Sequence, residues 1–395
     1  MNRWKQIFTK EFMDILRDKR SRNSAFLSPM IIIIVSLIAF GYLEQTLSQP
    51  SNQKILILKG TATVAATKQF EHILTSAKFK LGTVTSYNSL RAGIDSGSIK
   101  LAISIDQRSP KSPLVINEYF DPNSEAASIP KGMLDAIVAQ ANNLGVKEIL
   151  KTHGLPPELA QPIKPIEHKI THGSASTSQE LMTFLPYLIV VWAFYGGLGA
   201  VGELVAGEKE KNTLETLLLT PSSRTSVALG KLSALSTLGL SSSLSSLVGV
   251  VFVALLHLKA TVGLFPHGVG ISFPALLTTI LVLIPTVLLF ASLMLAISSL
   301  ARNVREAYTR LTVVNIVVLT PAILSQVIGF TGFARSHFIA LVPVLNSANT
   351  IREALGGTFD PIMIGGTVVV NGLLGALFLA YAVHLFNRED VLLRV

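Results

Sequence analysis

Six stretches of the chain, 25–43, 181–201, 232–256, 271–300, 311–334 and 361–386, contain no Asp, Glu, Lys or Arg. Each matches the roughly 20 apolar residues that a helix needs to cross the hydrocarbon layer of a bilayer. A charge at the centre of such a helix costs about 2.5 to 3.5 kcal/mol on the insertion scale. Six clean runs therefore set the fold class: an α-helical membrane protein with six transmembrane helices. Only 14% of the residues are charged, against about a quarter in soluble domains, which excludes an ordinary soluble enzyme. A seventh uncharged run, Ser336 to Ile351, lies between Arg335 and Arg352 and contains Pro343 and Asn346. It is short for a crossing and is expected to be a re-entrant segment shielded by protein.

Charge fixes the orientation. Short loops rich in Lys and Arg stay on the cytoplasmic side, and residues 1–23 carry Arg3, Lys5, Lys10, Arg17, Lys19, Arg20 and Arg22. The segments after the second and fourth runs and the C-terminal tail add Lys209, Lys211, Arg224, Lys231, Arg302, Arg305, Arg310, Arg388 and Arg394. The short loops on the other side hold Lys259, Arg335 and Arg352. Both termini are thus expected in the cytoplasm of a multi-pass protein. The net charge of +9 is then a topological signal, and nucleic acid is not expected as a partner. In residues 1–23, Trp4, Ile7, Phe8, Phe12, Ile15 and Leu16 recur at helical spacing among basic residues, the pattern of an amphipathic helix at the membrane surface.

The expected order is a cytoplasmic amphipathic helix over 1–23, transmembrane helix 1 over 24–44, an extracellular α/β domain over 45–178 and transmembrane helix 2 over 179–203. A short cytoplasmic helix occupies 204–223, followed by transmembrane helices 3 to 6 over 224–390. Within 45–178 the runs 54–58, 101–105 and 114–117 read as strands, and 62–77, 88–98 and 124–153 as helices. Pro156 to Pro165 is a proline-rich connector back to the membrane. His72, His153, His168 and His172 are scattered without metal-helix spacing and read as surface residues. The absence of Cys removes thiolate chemistry.

The most informative stretch runs from Gly202 to Pro221 (Gly-Glu-Leu-Val-Ala-Gly-Glu-Lys-Glu-Lys-Asn-Thr-Leu-Glu-Thr-Leu-Leu-Leu-Thr-Pro). Asn212 with Glu215 three residues later forms a capping-box pattern, and Pro221 stops the helix after about two turns. Leu214, Leu217 and Leu218 make an apolar stripe on it, a knob that another protein can seat in a groove. The bland alternative for the charges from Glu208 to Lys211 is a solvated loop.

From Ala206 to Arg224 the chain resembles the ABC-2 type transporter permeases, most closely their sodium-exporter, NatB-like branch. Lys211 and Asn212 stand where Arg and Gly are usual. The likeness extends to Phe184-Leu-Pro-Tyr187, Gly230-Lys231, Leu341-Val-Pro-Val-Leu-Asn346 and Arg352-Glu353. The resemblance implies that the helix from Thr213 to Leu219 docks on a separate cytoplasmic ATPase subunit. It thereby implies ATPase-coupling roles for Glu208, Lys209, Glu210, Asn212, Thr213, Leu214, Glu215, Leu217, Leu218, Pro221 and Arg224. No Gly-x-x-x-x-Gly-Lys-Ser/Thr loop occurs in the chain. The permease is therefore expected to be no enzyme by itself and to bind no cofactor, with ATP and Mg on the partner.

Candidates for a translocation path are the few polar residues in or beside the spans: Glu180, Glu203, Asn315, Thr320, Gln326, Asn346 and Asn371. Their oxygens suit a hard cation such as sodium. For each of them taken singly, a plain hydrogen bond between helices is the favoured reading. Gly196 with Ala200, and Gly372 with Ala376, allow close helix contact, and the resemblance implies a homodimer in contact with membrane lipid. The resulting expectation is an ATP-driven exporter of sodium or another small solute. A lipid, peptide or drug exporter is the first alternative, and a membrane sensor with a ligand-binding external domain the second.

Overall fold

A computed structural model describes residues 3–109, 113–121, 125–160, 179–211, 213, 222–265, 271–328 and 336–388. It divides into two compact units, Tyr42–Lys169 and the remainder. Six helices are long and apolar enough to cross a membrane: Asn23–Leu43, Phe184–Glu210, Arg224–Leu255, Phe273–Leu300, Val304–Ile328 and Pro361–Asn387. We call them spans one to six.

Span four forms the core of the bundle. It is the most buried of the six, whereas spans one, five and six are the least. It packs against spans two, three and six and against the short helix Leu345–Leu355. The outward faces of spans one, five and six are apolar, with Val35, Ile316, Val317, Leu373 and Leu377 all exposed. Such faces suit lipid or a partner helix, not water. Gly196 lies where a Cβ would meet Leu238 O at 2.6 Å and Gly239 Cα at 3.0 Å. That small-residue face is therefore used inside the chain, between spans two and three. Gly372 has open space around it, and Ala376 is exposed beside it.

Three spans extend beyond their uncharged runs, span five by starting at Val304 and so taking in Arg305, Glu306 and Arg310. Span three starts at Arg224, where the side chain of Ser223 caps the helix by accepting from Ser226 N, so Lys231 lies inside the helix. Span two continues through a π-helical stretch, Gly202–Gly207, into a final turn, Glu208–Glu210. Residues 336–351 form a 3-10 turn, His337–Leu341, and most of the helix Leu345–Leu355, whose residues from Leu345 to Ile351 are all buried. Val344, at φ 71°, turns the chain between the two, a strained conformation for a β-branched residue.

The other unit holds a four-stranded sheet in the order β2-β1-β3-β4, with β1 Lys54–Leu58, β2 Lys80–Val84, β3 Leu101–Asp106 and β4 Val115–Tyr119. β1 pairs in parallel with β2 and β3, and β4 returns antiparallel to β3. Helices α1 (Val64–Ser76) and α2 (Tyr87–Asp95) make the crossovers that parallel pairing demands, and α3 (Glu125–Thr152) follows β4. Ile55, Leu74, Leu101, Ile103 and Leu134 are completely buried at the centre. β2 had not been expected: Lys80-Leu-Gly-Thr-Val84 is too polar to announce an edge strand. His72 and His153 are exposed, while His168 and His172 lie outside the described residues. Among the described residues no three His, Asp or Glu groups gather as a metal site.

Asp106 ties the ends of this sheet together. It accepts from Thr61 N at 2.7 Å, Thr61 Oγ1 at 2.8 Å, Asn117 Nδ2 at 2.6 Å and Ser104 Oγ at 3.2 Å. The bond from the Thr61 backbone N–H, followed by the side-chain donors, holds its pKa below the ordinary aspartate value. A lowered carboxylate pKa stabilises the fold at neutral pH, and that contribution is lost as pH falls below the ordinary value. Asp106→Ala is expected to cost about 2 kcal/mol, because charge-assisted bonds vanish together. Hydrogen exchange of the full chain should then quicken in β3 and β4, and unchanged exchange there would refute the assignment.

Candidate functional site: a charged hub at one end of the bundle

The sequence Gly207-Glu-Lys-Glu-Lys211 sits where several helix ends converge. Gly202 makes the approach of span five feasible: a Cβ there would lie 2.7 Å from the Tyr308 ring. The Tyr308 hydroxyl in turn donates to Gly199 O at 3.0 Å. The π-helical stretch widens the turn and re-phases the hydrogen-bond ladder, so the four charged residues after it radiate in different directions.

Glu208 points to span three and to the N-terminal helix Arg3–Arg17. Its Oε2 lies 2.8 Å from Lys231 Nζ and its Oε1 accepts from Lys10 Nζ at 3.1 Å. Lys231 also donates to Glu11 Oε1 at 2.9 Å and to Leu204 O at 2.5 Å. Lys10 closes the ring at 3.3 Å from Glu11. The Lys231 and Glu11 side chains are 0% and 4% exposed, and Lys10, at 50%, covers the ring from outside. Burial works against the charge of Lys10, but Glu11 and Glu208 outweigh it and raise its pKa above 10.5.

The remaining charges of the motif engage other helices. Lys209 is buried and donates to Ser299 O and, at 3.2 Å, to Ala301 O at the end of span four. There a cation meets carbonyls without partners in the helix. Glu210 accepts from Val304 N at 3.1 Å, at the start of span five, where helix N–H groups favour an anion. Lys211 pairs with Glu203 at 3.0 Å, both exposed. Farther along, Arg224 donates to Phe386 O at 3.2 Å and Asn387 O at 2.8 Å, at the end of span six. A solvated loop is not what these residues form. They bind the ends of spans three to six and the N-terminal helix into one hub, beside a cleft of about 940 Å³ bordered by Asp14, Asp18, Glu203, Glu208, Lys211 and Tyr308.

Glu11 was not singled out by sequence reasoning, and Lys231 was named only as a cytoplasmic cation and within the Gly230-Lys231 likeness, without a partner. The available signal was an acid at the centre of an apolar stripe, Ile7-x-x-x-Glu11-x-x-x-Ile15, whose three residues are buried together. Gly230 lets this stripe approach, since a Cβ there would sit 2.6 Å from Ile7 Cγ2. Of the coupling residues, Thr213 donates through its hydroxyl to Glu208 O at 3.3 Å. Asn212, Leu214, Glu215, Leu217, Leu218 and Pro221 lie outside the described residues, as does the side chain of Glu180.

The proposed path residues do not gather in one place. Asn346 and Asn371 do meet, with Asn346 Nδ2 3.2 Å from Asn371 Oδ1. Asn371 Nδ2 also donates to Ser347 Oγ at 2.8 Å and Thr286 Oγ1 at 3.1 Å, while Asn346 Nδ2 donates to Ala340 O at 3.0 Å. Asn346 Oδ1 accepts from Ser347 N at 2.6 Å. The result is a buried knot of amides and hydroxyls linking spans four and six to the short helix. Its groups satisfy one another, the arrangement of a helix–helix lock. Asn315 lies elsewhere and donates to Tyr195 Oη at 3.0 Å. Thr320 is exposed and donates to Ile316 O at 2.7 Å, Gln326 is half-buried near the end of span five, and Glu203 belongs to the hub.

A family model described as "ABC-2 family transporter protein" matches residues 19–383. The ABC transporter permease protein NatB of Bacillus subtilis (strain 168) is 24% identical over 391 residues, covering 97% of each chain. No solved structure matches.

Proposed function

The chain belongs to the ABC-2 family of transporter proteins, and from that premise we propose that it is the permease subunit of an ATP-driven exporter, powered by a separate cytoplasmic ATPase. The observation that carries this reading is the hub. Residues 208–211 bind the ends of several spans immediately before the leucine-striped segment 212–221, so a push on that segment reaches the bundle through short, charged contacts. In this reading the hub faces the cytoplasm, the α/β unit lies outside the cell, two permease copies work together in a bacterial plasma membrane, and ATP and Mg bind to the partner.

Sodium is the proposed cargo, supported by the full-length likeness to the NatB permease. A second reading, export of a lipid, peptide or drug, is favoured by the cleft of about 940 Å³, far larger than an ion requires. Proteoliposomes containing the permease and its ATPase separate the two. ATP-dependent flux of radioactive sodium, with a fluorescent cationic dye left unmoved, is the expected result. Dye flux without sodium flux selects the second reading, and ATP hydrolysis without flux of any solute contradicts both.

A further inference from the structure

We propose that the ring Lys10–Glu11–Glu208–Lys231 makes the N-terminal helix a moving part of the transport cycle, locked to the motif so that the two shift as one body. This rests on the reading of the motif as the point where force from the ATPase arrives. Glu11, Lys10 and Lys231 are positioning residues: they touch neither nucleotide nor cargo.

The argument starts from the cost of the ring. Ile7 and Ile15 already provide an apolar face for docking the N-terminal helix on span three. A glutamate between them has to be stripped of water, as does Lys231, and a buried ion pair is a poor source of net stability. What such a pair does supply is register. Lys231 has one place to stand, between Glu11 Oε1 at 2.9 Å, Glu208 Oε2 at 2.8 Å and Leu204 O at 2.5 Å. Sliding the N-terminal helix by one turn would strand both charges. The ring also joins three separate pieces of chain: the N-terminal helix, the end of span two and the body of span three. Leu204 is part of the π-helical stretch, so the ammonium holds the non-α turn that aims Glu208, Lys209 and Glu210 at their partners. Lys10 holds both carboxylates from the solvent side. A displacement of Glu208 therefore drags Glu11, and with it the helix, through charge contacts that an apolar face alone lacks.

The chain contains no Cys, so spin labels can be placed at Thr9→Cys on the N-terminal helix and at Thr358→Cys in the turn before span six, both exposed positions. In the permease–ATPase complex, ATP with vanadate should shift the distance between the labels. Glu11→Gln, which keeps the shape but removes a charge, should abolish the shift while capture of the ATPase subunit stays intact. The paired change Glu11→Leu with Lys231→Leu removes both partners of the buried pair, leaves Glu208 its contact with Lys10, and should also abolish it. A label shift that persists in both variants, or is absent from the parent chain, overturns the proposal. Failure of the underlying reading looks different: the ATPase would then remain captured by a chain carrying Leu217→Asp.

Discussion

Lys231→Ala is expected to destabilise the bundle by about 3 to 5 kcal/mol, the range for removing one partner of a buried ion pair. The loss falls on what remains. Glu11, 4% exposed, and Glu208, 13% exposed, would face each other across the vacated space, and Lys10 approaches them only from the outer side. Thermal denaturation in detergent, followed by size-exclusion chromatography, should show a sharply lower midpoint and reduced yield. Adding Glu11→Leu to Lys231→Ala should recover much of the loss, because the buried charge left without its partner is then gone. A single variant as stable as the parent would mean that water reaches the ring freely, contrary to its burial.

Leu217→Asp should leave insertion and folding unchanged and abolish capture of the ATPase subunit, together with ATP-dependent flux. On the proposed docking role, a carboxylate placed among Leu214, Leu217 and Leu218 would have to be desolvated on binding. Loss of one central anchor typically costs 2 kcal/mol or more, roughly thirtyfold in affinity. Pull-down of the ATPase with membranes from the variant provides the check. Normal capture would remove 212–221 from the coupling role and leave the hub as a purely structural feature.

How far the sequence revealed this architecture depends on the range of the interactions. The six spans were legible because bilayer crossing is a local demand on a continuous run of residues. Their ends were less so: the rule that a span carries no charge cut span three at Lys231, whose partners are Glu11 and Glu208, far away along the chain. In the α/β unit, β1 and β3 were visible as apolar runs, whereas β2 is held as an edge by pairing with β1 more than by its composition. The motif was conspicuous, but its acceptors were hidden. Ser299 O, Ala301 O and Phe386 O are backbone atoms that every residue possesses, and only the convergence of helices selects them. Asn346 and Asn371 were noticed singly, and the fold supplies Thr286 and Ser347 to complete their knot.

That knot bears on where a cargo can travel. Where spans four and six meet the short helix, satisfied amides and hydroxyls stitch them together, and that junction leaves no polar group over to replace the water shell of an ion. The flanks of spans one, five and six, the least buried of the six, are apolar and open to a neighbour. On the proposed pairing of two permease copies, two such flanks set face to face would form a corridor that neither molecule encloses alone.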